Sequence, residues 1–128
     1  MITYGFTKEL NMPFTKAVEA VIEELKKEGF GILSRIDVKE KFKEKLGIDF
    51  KEYVILGACN PANANKAILA EENIGLMLPC NVIVYEKESK TVVSIIRPTQ
   101  AMGLINNGKL TQIAQAVEAM LKRVFEAL

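Results

Sequence analysis

Two short segments of this chain mirror one another, Cys59-Asn60-Pro61 and Pro79-Cys80-Asn81, and they hold its two cysteines. A cysteine does chemistry as its thiolate, and a helix N-terminus or a nearby cation lowers the thiol pKa enough to produce one. Cys59 directly precedes a helix-start signal, with Asn60 as N-cap and Pro61 at the first helical position. The free amides and dipole of that helix therefore favour an anion beside it. Arg97, followed by Pro98, is a permanent positive charge that strand order brings to the same end of the sheet. On this reading Cys80 is the reactive thiolate and Cys59 its companion. Asn60, Pro61, Asn81, Arg97 and Thr99 form the expected ligand-binding set, and Gln100 is a further donor. The same helix terminus with Arg97 would hold a carboxylate or phosphate without a covalent step, so a small anionic ligand is an expected partner. The competing account is packing. Free cysteine is among the most buried residue types and behaves as a small hydrophobe, Asn60 is explained as a cap, and Arg97 as a surface ion-pair partner.

The absent residue types narrow the chemistry further. There is no histidine, which excludes Ser-His-Asp and Cys-His arrangements, an HExxH zinc site and any imidazole acid or base. Aspartate occurs only as Asp37 and Asp49, and no pair of carboxylates is placed for acid–base work. Structural zinc takes four Cys or His ligands, so two cysteines alone predict no metal site within one chain, and no cofactor is implied. A site bridging two copies through four thiolates is a third reading. The cysteines are not in CxxC spacing, which rules out a thioredoxin-type motif, and a Cys59–Cys80 disulfide is disfavoured in a reducing compartment. Met77, Met102 and Met120 read as core gap-fillers. Gly29-Phe30-Gly31 follows a helix and enters a strand, the reverse of a phosphate loop.

The elements that must position these residues are legible from periodicity. Ile2 to Lys8 alternates as a strand, with Ile2, Tyr4 and Phe6 on one face. Asn11-Met12-Pro13 announces a helix whose apolar stripe is Phe14, Ala17, Val18, Val21, Ile22 and Leu25, ended by Gly29 in the left-handed position. Phe30, Ile32 and Ile36 alternate as a second strand. Asp37 to Glu40 resembles a capping box opening a short helix, with Val38, Phe42 and Leu46 on one side and Gly47 closing it. Its Lys39 to Lys45 run, interleaved with Glu40 and Glu44, is a solvated face. Tyr53 to Cys59 is continuously apolar and predicts a strand buried on both faces. A helix covers Ala62 to Glu72, ending near Asn73 and Gly75. A hairpin then joins strands at about Leu78–Glu86 and Lys90–Arg97 through Lys87 to Ser89. Thr99 to Asn107 reads as irregular, and Leu110, Ile113, Ala114, Val117, Leu121, Val124 and Leu128 mark one face of a long last helix.

These elements predict a single domain over residues 1–128: an α+β fold with a curved, mostly antiparallel sheet, two long helices packed on one face, and the order β-α-β-(α)-β-(α)-β-β-α. The charge balance is Lys+Arg 17 against Asp+Glu 16, a net of +1, so no basic footprint points to nucleic acid. No apolar run is long enough for a membrane span, and the stretch Met1 to Leu10 lacks the features of a signal peptide. The expected location is the cytoplasm, with no membrane partner.

GACNPANA (Gly57 to Ala64) and GLMLPCNVIVYE (Gly75 to Glu86), with Gly29-Phe30 and Arg97-Pro98, resemble the family called Domain of Unknown Function 302 across essentially the whole chain. The family motif falls on Asn60, Pro61, Pro79, Cys80 and Asn81 without attaching a catalytic role to them. The resemblance implies a TATA-binding-protein-like strand, helix, four strands, helix arrangement, in which the two extra helices are insertions. It carries no DNA-binding implication, because function lives in the site and not the fold. It also implies a homodimer. Two functions follow: a small-molecule or thiol-redox site at the sheet end, or a non-enzymatic module that dimerises through a sheet face or edge.

Overall fold

The computed structural model describes residues 2–128; Met1, the first residue of the N-terminal stretch, lies outside the described residues. Five strands form one sheet: β1 (Gly5–Leu10), β2 (Gly31–Asp37), β3 (Tyr53–Cys59), β4 (Cys80–Lys87) and β5 (Lys90–Ile96). Their order across the sheet is β1-β5-β4-β3-β2, and every neighbouring pair is antiparallel. The helices are α1 (Phe14–Lys27), α2 (Val38–Leu46), α3 (Pro61–Ala70), a 3₁₀ turn at Glu72–Met77, α4 (Pro98–Ala101) and α5 (Gly108–Ala127).

The long helices α1 and α5 pack on one sheet face because each carries a single apolar stripe. Ala17, Val18, Val21 and Leu25 of α1 are buried, as are Leu110, Ala114, Val117, Leu121 and Val124 of α5. They close over Val54, Leu56 and Ala58 of β3, Val82 and Val84 of β4, and Val93 and Ile95 of β5. These sheet residues alternate along their strands and pair across them, Leu56 with Val82 and Val82 with Ile95. Burying each valine, leucine or isoleucine among them contributes about 1.5–3 kcal/mol. Gly29 ends α1 at φ +83°, where a side chain would be strained.

Four local expectations need correction. The first strand runs from Gly5, not Ile2, because a strand extends only where a partner pairs with it: Gly5 lies opposite Ile96, the last residue of β5. Phe6 faces α5, 5.6 Å from the ring of Phe125, while Ile2 and Tyr4 line the other side with Gly5 and Thr7. In β2 the register slips between Ile32 and Ser34, so Ile32 pairs with Ala58 on the helix-covered face while Ile36 pairs with Ile55 on the opposite one. A bulge adds one residue and reverses the alternation beyond it. In β3, Tyr53 and Ile55 are only half-buried, so the strand is covered on one face and not on two. Finally, Pro98–Ala101 is a turn of helix within the stretch read as irregular.

The uncovered face is walled by Tyr53, Ile83, Tyr85 and Ser94 together with Ile2, Tyr4 and Thr7, around an open hollow of about 750 Å³. Tyr53 lies opposite Tyr85 and their rings stack 5.3 Å apart, with the Lys51 ammonium 4.8 Å from the Tyr85 ring centre. The α2 helix, capped by Asp37 through the Glu40 amide, buries none of its residues.

Candidate site at the sheet end

The site is built where β3 ends and β4 begins. Ala58 pairs with Cys80, so Cys59 leaves the ladder beside the start of β4, next to the cis Leu78–Pro79 bond. Both cysteines are free thiols, Cys80 buried and Cys59 half-buried. They line one small cavity of about 30 Å³ whose walls are otherwise almost wholly apolar, including Leu78, Pro98, Met102 and Val117. That volume holds one or two water-sized particles, whereas pockets for small organic ligands run to about 300–1,000 Å³.

The electrostatics do not favour a thiolate at Cys80 in the free protein. Burial pushes the Cys80 thiol up to about 11, with the neighbouring Cys59 adding to the effect. The α3 terminus is also partly occupied. Asn60 Oδ1 accepts from the Asn63 amide at 3.2 Å and the Asn63 side chain at 3.1 Å, and Pro61 has no N–H to offer. The Asn60 side-chain amide turns back to the Gly29 carbonyl at 3.3 Å, tying α3 to the end of α1.

Arg97 reaches the same sheet end but does not join the cysteines. Its Nε donates to Glu118 Oε2 at 3.2 Å, its Nη1 to the Thr3 carbonyl at 3.0 Å, and its guanidinium lies 5.4 Å from the Phe6 ring centre. Thr99 is held by the same carboxylate, with its amide at 3.0 Å and its hydroxyl at 2.6 Å from Glu118 Oε1. One carboxylate thus receives the guanidinium, a backbone amide and a hydroxyl, and fixes the start of α4 to α5. Asn81 is exposed and lies by a shallow hollow on the uncovered face with Tyr4, Ile83 and Ser94. Pro61 is exposed at the start of α3. Of the seven residues expected to converge, Cys59, Cys80 and Asn60 line the cavity; Pro61, Asn81, Arg97 and Thr99 do not.

Residues that the sequence reading did not assign to the site also belong to it. Met102 and Pro98 reach the cavity from α4 and the turn after it. Pro98 after Arg97 is a proline at a first helical position, the signal that announces α4. Glu118 follows the buried Val117 on α5, and a carboxylate beside a buried stripe needs a partner.

A family model described as "Domain of unknown function DUF302" matches residues 6–128. The chain belongs to this family. A solved DUF302 structure, that of an uncharacterized conserved protein from Bacillus stearothermophilus, is 32% identical, superposes with a TM-score of 0.90 and covers 98% of each chain. No curated protein matches the chain. The DUF302 fold here is the α+β arrangement expected from the sequence, with five antiparallel strands and its long helices on one side. No helix among the described residues is long and apolar enough to cross a membrane.

Proposed function

We propose that this DUF302 domain is a non-enzymatic interaction module whose uncovered sheet face binds a second copy of the chain. The observation that carries the reading is the uncovered face itself, an apolar and aromatic surface of Tyr4, Tyr53, Ile83 and Tyr85 with Ile55 and Ile36 beside it. Exposed apolar patches of this kind mark association surfaces, and tyrosine is enriched at the centres of interfaces. Two charged side chains, Lys51 and Lys87, also line the hollow.

The area is adequate. Five strands about 4.8 Å apart, each near seven residues long at about 3.3 Å per residue, present on the order of 500 Å² per copy. Two such faces bury about 1,000 Å², the threshold for a specific interface. A net charge of +1 per chain adds little repulsion between copies. The cytoplasm, where both thiols stay reduced, is the compartment this reading assigns.

Mass measured by light scattering or sedimentation over a wide concentration range tests the proposal. A dimer that dissociates in the Tyr85→Glu variant, with an unchanged far-ultraviolet spectrum, is the expected result. A strictly monomeric wild-type chain overturns it. The second reading is thiol-based redox or small-ligand chemistry at the sheet end, favoured by the two cysteines lining one cavity. The high Cys80 pKa, the engagement of Arg97 by Glu118 and the cavity volume weigh against it.

A further inference from the structure

The cavity between α3, α4 and α5 has an unusual donor set. Three of its wall residues carry sulfur, Cys59 at the end of β3, Cys80 at the start of β4 and Met102 after α4. The polar side chains in its wall, Asn60 and Asn63, are already engaged. Asn60 caps α3 and bonds back to Gly29, and the Asn63 amide donates to Asn60 Oδ1 and lies 3.6 Å from Met120 Sδ. No carboxylate lines it, and among the described residues no cluster of three Cys, Asp or Glu side chains could hold a metal in the ordinary way.

We propose that Cys59, Cys80 and Met102 form an intramolecular site for a soft monovalent metal ion, Cu(I). Ligand chemistry selects the metal. Hard cations require oxygen ligands, and structural zinc is closed by four Cys or His ligands; the wall offers two thiols and one thioether. Thiolate and thioether sulfur select Cu(I), which is satisfied by two or three such donors. The volume of about 30 Å³ suits a single ion and excludes an organic ligand. Half-exposure of Cys59 and Met102 leaves an entry route, and the positive end of α3 lies beside the charge that binding creates.

The step balances without electron transfer. Cu(I) displaces one proton from each thiol, two Cu–S bonds form, the Met102 thioether donates a lone pair, and two protons pass to solvent, leaving a centre of charge −1. A metal ion deprotonates a coordinating thiol outright, and because protons are released on binding, affinity rises with pH. This assignment is independent of dimerisation, and it gives Met102 a role beyond filling a gap in the core.

The test is anaerobic titration of the reduced full chain with Cu(I) against a chromophoric Cu(I) chelator, with thermal melts to verify folding. One ion per chain, held against the chelator, is the expected result. Cys59→Ser and Cys80→Ser should each weaken binding by more than about 100-fold and Met102→Leu by about tenfold, while Met77→Leu, outside the cavity, should bind like the wild type. Should Cys80→Ser fail to fold, Cys59→Ser carries the same test. Complete loss of copper to the chelator, one ion per two chains, or wild-type binding by Cys59→Ser would each overturn the site.

Discussion

Ile55 and Leu56 are neighbours in β3, yet they inhabit different environments. Leu56 is fully buried beneath α1 and α5, while Ile55 is half-exposed on the uncovered face and pairs with Ile36 and Ile83. The two faces of one sheet therefore hold apolar side chains for different reasons. On one, apolar area drives folding of the single chain. On the other it remains exposed to solvent, outside the single chain's core. The sheet end adds a third environment, a sulfur-lined hollow too small for a metabolite and too apolar for a free thiolate.

Truncation on the two faces separates these environments most clearly. Leu56→Ala should destabilise the monomer by about 2–5 kcal/mol, because it opens a cavity in a close-packed core. Ile55→Ala should cost less than about 1 kcal/mol under conditions where the chain is monomeric. Urea unfolding at low protein concentration reads both; equal losses would mean that the second face is covered after all.

Next in size is the carboxylate at the boundary. Glu118 is largely buried and receives Arg97, the Thr99 amide and the Thr99 hydroxyl. Glu118→Ala should cost about 1–3 kcal/mol, the range for losing hydrogen bonds to a charged group. Arg97→Ala, removing a more exposed partner, should cost less. A Glu118→Ala variant as stable as wild type would show that α4 is held by its apolar contacts alone.

The smallest effect concerns Cys80. Its folded pKa is raised from 9.0 to about 11, so burial favours the neutral thiol. The stability this contributes is fully present below about pH 9 and is lost as pH rises through 11. The Tyr53 hydroxyl, also raised by burial and by Tyr85, acts in the same direction, so the comparison must be against Cys80→Ala. Alkylation of the metal-free protein, resolved by mass spectrometry, should be about 100-fold slower at Cys80 than in the unfolded chain near neutral pH. Fast modification of Cys80 would restore the reactive-thiol reading.

Much of the fold and part of the sheet-end site are legible in the order of residues. The stripes of α1 and α5, the Asn60 and Asp37 caps and the left-handed stop at Gly29 depend on residues within a turn or two of one another. Local spacing decides such features. It also brings Cys59 and Cys80 to one end of the sheet, because the hairpin and strand order follow from turn chemistry. What local spacing misjudges is direction. The bulge after Ile32 reverses which face Ile36 occupies, and the short pairing of β1 with β5 removes Ile2 and Tyr4 from the strand.

Composition and near neighbours are enough to set the helical stripes, their caps and the exclusion of histidine chemistry, since none of these needs a distant partner. Long-range packing set everything else. It turned Arg97 toward Glu118, left one sheet face bare, and placed Met102 in the wall of the same cavity as the two cysteines. Those outcomes depend on contacts between residues far apart in the chain, where the seating of whole helices on the sheet chooses which side chain meets which.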